Sequence, residues 1–108
     1  MRKISDKRKK ALDEKKALTA MMLSVFMDIW HERKHNSEVS GRWLGKEALT
    51  IFFHHILPKS KCPQAALDKE NIILLTFEEH QKVEQDSTFY EEVNKRREQL
   101  KEKYGRDS

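Results

Sequence analysis

Five side chains within one stretch of this sequence have the types and spacing to do chemistry: His54, His55, Asn71, His80 and Glu84. An imidazole titrates near about pH 6.5, so it can take a proton at neutrality or, uncharged, ligate a divalent metal. His54 and His55 are neighbours at the end of a β-branched and aromatic run, and on a strand their side chains leave opposite faces. They cannot do the same job. Asn71 comes sixteen residues after His55 and opens a second apolar run, and His80 comes nine residues later. Glu84 stands one helical turn beyond His80, so its carboxylate points the same way and can bind a cation with it.

The elements that must position these groups follow from periodicity. Residues 5–33 contain no Pro or Gly, and Leu18, Met21, Met22, Val25, Phe26, Ile29 and Trp30 recur at three-to-four spacing. A long amphipathic helix is expected there, with the apolar arc of its second half turned to the core. Its first half carries Arg2, Lys3, Lys7, Arg8, Lys9, Lys10, Lys15 and Lys16. Two readings stand side by side for that half: a phosphate-gripping arm, or a solvated helix end. Residues 36–46 hold Gly41 and Gly45 and form a breaker zone.

A strand is expected over 48–56, then a loop bracketed by Pro58 and Pro63, then a second strand over 72–75. Thr76 with Glu79 three residues on reads as a capping box that starts a helix carrying His80. Thr88 with Glu91 repeats the device for a last helix, 89–103. Of Phe52 and Phe53, one is expected in the core and the other beside the site. Trp30 and Trp43 read as packing residues, and His31 and His35, spaced i, i+4 on a charge-crowded helix, are not expected to hold a metal.

Length and composition bound the answer. With 108 residues, one α+β domain is expected: a basic helix over 1–35, a central unit over 36–86 and a final helix over 88–104. The single Cys62 has no partner for a disulfide and belongs to no CxxC pair, so a free loop thiol in a reducing, cytoplasmic setting is expected. No run of 18 apolar residues exists to span a membrane, and the run after the basic start is broken by Asp28 without a cleavage site. Charge is uneven. Residues 1–35 carry ten Lys/Arg against five Asp/Glu, residues 64–92 two against eight, and residues 93–108 six against three. Basic ends suit a polyanion, because neutralising phosphates releases condensed counterions, and an acidic middle suits a cation.

The stretch His54-His55-Ile56-Leu57-Pro58, then Asn71-Ile72-Ile73-Leu74, then helical His80, resembles the HNH (ββα-metal) endonucleases, with a His-His start similar to that of the nuclease colicins. The resemblance covers roughly 36–86 and leaves the flanking helices outside. It implies a ββα-metal core with His54 and His80 as metal ligands, His55 as the general base and Asn71 as a positioning residue. Where the colicin-type pattern has another His, this chain has Glu84, expected to ligate directly or through water. Two imidazoles and one carboxylate would take one divalent cation (Mg²⁺, Mn²⁺, Ni²⁺ or Zn²⁺), which the types alone do not select.

The expected function is therefore metal-dependent hydrolysis of DNA phosphodiesters, leaving 5′-phosphate and 3′-hydroxyl ends, in a phage or bacterial setting. Lys7, Arg8, Lys9, Lys10, Lys59 and Lys61 are the expected nucleic-acid contacts. One site per chain predicts nicking, and a homodimer would be needed to cut both strands in one visit. The alternative is a non-catalytic DNA-binding module that keeps the same fold. A helical interaction protein would leave the histidine spacing unexplained.

Overall fold

The computed structural model describes residues 6–105; Arg2, Lys3 and Ser5, assigned from sequence to the start of the basic helix, lie outside the described residues. Helix α1 spans Asp6–Glu32. Its Ala, Leu, Lys and Met content favours helix throughout, yet only the second half is packed. Met22, Ile29 and Trp30 are buried, while Leu12, Leu18, Met21, Leu23 and Met27 stay exposed. The apolar arc expected to be core is thus divided, and one edge of it packs.

After α1 the chain reverses through the breaker zone. Asn36 and Trp43 pair as an antiparallel bridge, and Gly41 sits at φ 79°, where a side chain would be strained. Trp43 is 66% exposed, so it does not serve as the packing residue expected. Trp30 does, and His35 stacks on it at 3.8 Å with its Nε2–H donated to the Trp30 carbonyl.

Strand β1 is Phe53–His55 and strand β2 is Ile72–Leu74, paired antiparallel with Phe53 opposite Leu74, His54 opposite Ile73 and His55 opposite Ile72. The expected strand over 48–56 is therefore shorter than its β-propensity suggested. Thr50–Phe52 form a 3-10 turn instead, closed by Phe52 N–H on the Leu49 carbonyl. That turn presents the Ile51 carbonyl to His80, a long-range partner that no local pattern reveals. Helix α2 spans Phe77–Gln85 and helix α3 spans Glu91–Tyr104.

The capping box of α2 forms as expected, with Thr76 accepting from Glu79 N–H and the Glu79 carboxylate accepting from Thr76 N–H. Ser37 adds a hydroxyl to the same carboxylate at 2.6 Å, tying the breaker zone to the start of α2. The second box does not form. Thr88 donates to Asp86 Oδ1, and the N-cap of α3 is Tyr90 without a side-chain bond. An Asp two residues upstream is the nearer partner, and it wins.

The hairpin is covered on both faces, which explains why β2 is apolar without alternation. Ile72, Leu74, Phe52 and Phe53 pack with Ile29 and Trp30 of α1. Ile73 and Leu75 pack with Val83 of α2 and with Val93 and Leu100 of α3. Both Phe52 and Phe53 are therefore core. Cys62 is free and fully buried in the second cluster. Among the described residues the architecture is α+β: three α-helices around a two-stranded antiparallel hairpin.

Candidate functional site

Strand alternation decides where the two histidines go. Phe53 stacks on Phe26 of α1 at 4.4 Å, and His55, two residues on, leaves the same face, 5.9 Å from Phe26. His54 leaves the other face and meets α2, where its ring stands edge-on to His80 with centroids 5.1 Å apart.

On that α2 side the metal-capable atoms of His54, His80 and Glu84 all lie within 4.8 Å of one another. His80 Nδ1 is 2.5 Å from the Ile51 carbonyl, which can only accept, so Nδ1 carries the hydrogen. His80 Nε2 then faces Glu84 Oε1 at 3.2 Å. With Nδ1 committed to that carbonyl, the Nε2 lone pair and the carboxylate converge on one point. Two ligands of one cation, with bonds of roughly 2.1 Å, stand about 3–3.4 Å apart, and this pair fits. His54 Nδ1 is 4.0 Å from the same carboxylate oxygen.

Burial keeps His54 neutral. Desolvation, followed by the charge of His80, pushes its pKa down to about 4, although Glu84 pulls the other way. The unfolded chain takes up this proton more readily, so stability is retained above about pH 6.5 and lost as pH falls toward 4. In chelator, urea titrations at pH 7 and pH 4.5 are expected to differ by about 2 kcal/mol more in the native chain than in His54→Asn. Equal pH dependence in the two would show that His54 is not held neutral by the fold.

On the opposite face His55 Nε2 donates to the Ala66 carbonyl at 2.9 Å, which leaves Nδ1 as the unprotonated nitrogen. Its pKa is lowered, chiefly by burial; the Ala66 bond opposes this and the charge of Lys59 adds to it. A ring fixed in one tautomer with a bare nitrogen is equipped to accept a proton.

Asn71 is fully buried. Its Oδ1 accepts Leu57 N–H at 2.7 Å, and its Nδ2 donates to the carbonyls of Leu57 and Ala65 at 3.0 and 3.1 Å. None of these bonds is to His54, His55, His80 or Glu84. It staples the chain after β1 to the segment that ends at Ala66, the residue that orients His55, and so acts as a positioning residue. Asn71→Ala is expected to lower stability by about 3 kcal/mol, because Leu57 N–H is left buried without an acceptor. Urea denaturation checks this; a loss under about 1 kcal/mol would show that the staple is replaceable.

His54, His55, His80 and Glu84 open into one cleft of about 710 Å³. Lys59 and Lys61, the expected nucleic-acid contacts of the loop, line it. So do Arg97 and Lys101 of α3, which the sequence reading left out. The basic excess of residues 93–108 was their only signal, and nothing local says which face of α3 meets the cleft. Lys7, Arg8, Lys9 and Lys10 lie exposed on the unpacked half of α1 and do not line the cleft. His31 belongs to no candidate metal group among the described residues, nor does His35, which is committed to Trp30. No helix among the described residues is long and apolar enough to cross a membrane. Comparison with protein-family models, with curated proteins and with solved structures gave no match to this chain.

Proposed function

We propose that this protein is a metal-dependent endonuclease of the HNH type that hydrolyses DNA phosphodiester bonds. One observation carries the reading. His54, His80 and Glu84 converge within 4.8 Å on one face of β1, while His55, with a bare Nδ1, leaves the other face into the same cleft. A ligand set and a proton acceptor are thus adjacent in sequence and separate in role.

The donor set fits a divalent cation, with two neutral-capable imidazoles and a carboxylate, and one imidazole oriented through its remote nitrogen by a carbonyl. Bound there, a divalent cation supplies Lewis acidity toward the scissile phosphate and its departing oxygen. His55 takes the proton of the attacking water at Nδ1. The Ala66 carbonyl holds that ring in its working tautomer and stabilises the imidazolium that results. Asn71 keeps this loop in place. The DNA assignment is supported by the cleft's cations and by the basic first half of α1.

Supercoiled plasmid incubated with Mg²⁺, Mn²⁺, Ni²⁺ or Zn²⁺, and separately with chelator, tests the proposal. Conversion to nicked circles with at least one cation and none in chelator is expected. DNA binding without cleavage under every cation would instead make the chain a non-catalytic DNA-binding module.

A further inference from the structure

The cleft holds four cations, Lys59, Lys61, Arg97 and Lys101, against one carboxylate, Glu84, which is already committed to His80. Arg97 stands out among the arginines packed into the body. Arg33 is paired with Glu38, and Arg96 with Glu38 and Glu92. Arg97 donates to the Asn94 side-chain oxygen at 2.8 Å and to the Ser87 carbonyl at 2.6 Å, both uncharged. Those bonds fix the guanidinium without neutralising it, and they use two of its five N–H donors. Half-buried and held in place, it has little rotamer freedom left to lose on meeting an anion.

Its position is as specific as its pairing. Arg97 and Lys101 line the cleft from α3, and Lys59 and Lys61 line it from the loop that follows β1. Lys101 lies one turn beyond Arg97 on the same face of α3 and pairs with Glu98 at 3.9 Å.

We infer that Arg97 and Lys101 form a phosphate-holding site on α3 that seats a phosphate neighbouring the one at the His54–His80–Glu84 group. A strand would then run across the cleft with Lys59 at its other side. The inference rests on the cleft being the seat of a phosphodiester. It adds that the occupant presents consecutive phosphates, as a nucleic-acid strand does and a single small diester does not.

Binding of fluorescein-labelled duplex DNA in chelator, followed by anisotropy between about 50 and 200 mM salt, reads this directly. Arg97→Gln and Lys101→Gln are each expected to flatten the log–log salt slope by roughly 0.9, whereas Lys95→Gln, an exposed residue of α3 outside the cleft, is expected to leave it unchanged. Lys101→Gln leaves the Arg97 anchors intact, so the result does not depend on Arg97→Gln folding. Equal slopes for Lys95→Gln and the two cleft variants, or no binding in chelator, would overturn the inference. Bis(4-nitrophenyl) phosphate separates it from the nuclease reading. Its metal-dependent hydrolysis by the native chain, together with flattened salt slopes for Arg97→Gln and Lys101→Gln, supports the site. Hydrolysis by a chain whose DNA binding ignores Arg97 and Lys101 removes the site and leaves the nuclease. Arg97-dependent binding with no hydrolysis of either substrate removes the nuclease and leaves an anion site.

Discussion

His55→Ala is expected to lower plasmid cleavage by about 10²–10⁴-fold, the usual contribution of a positioned general base, while metal affinity stays at the native value. The separation is possible because β1 sends His55 away from the metal-capable group. Its neighbours are Phe26 and the Ala66 carbonyl, not Glu84. Cleavage rate and calorimetric metal titration on the same preparation decide the matter. A variant that cuts at near the native rate would assign proton transfer elsewhere, and one that loses the metal as well would make His55 a ligand. Because burial lowers the pKa of His55, its neutral form persists below the usual histidine range. The acid limb of the rate profile is then expected below about pH 6.5 in the native chain.

His80→Ala is expected to weaken metal binding by more than the roughly 10–100-fold associated with losing only an outer partner of a ligand. The imidazole is oriented by the Ile51 carbonyl and faces Glu84, so its removal deletes the best-placed donor. Glu84→Gln keeps shape and helix propensity, and the exposed position makes folding indifferent to it. It is expected to bind metal more weakly than the native chain but better than His80→Ala, with cleavage partly recovered at high metal concentration. Acidification should imitate both variants, since protons compete with the cation for the same nitrogens. A Glu84→Gln protein that binds and cuts like the native chain would return Glu84 to being an ordinary surface residue and leave the histidine assignments standing.

What was legible in the sequence is what depends on near neighbours. The capping box at Thr76 and Glu79 spans four residues and the turn linking His80 to Glu84 spans five, and both appear. The opposite faces of His54 and His55 follow from the pleat alone. Failures came where a distant partner or a nearer competitor intervened. The first strand shrank because residues 50–52 turn to meet His80, 29 residues away. The box at Thr88 lost to Asp86. Arg97 and Lys101 went unassigned because only the packing of Val93 and Leu100 onto the hairpin cluster fixes which face of α3 looks into the cleft. Leu18 and Met21 were assigned to the core but stand exposed, while Met22, Val25, Phe26, Ile29 and Trp30 of the same arc pack.

The hairpin has a further consequence, which is arithmetic. Strand β1 is three residues long and clamped at both ends, by the Phe52 carbonyl accepting Leu75 N–H and by Ile56 N–H donating to the Asn71 carbonyl. Sliding the strand by one residue would send His54 toward Phe26 and Ala66 and His55 toward Glu84, exchanging the two proposed roles with both imidazoles still present. A slip of two would restore the faces. Between the two clamps the chain therefore tolerates changes of residue type far better than changes of count. The exposed segment around Lys59 to Lys61, outside the clamps, is free of that parity rule. Inserting or deleting one residue is therefore expected to be tolerated in that loop and to destroy metal binding within residues 52–57, which calorimetric metal titration of the two kinds of variant would show.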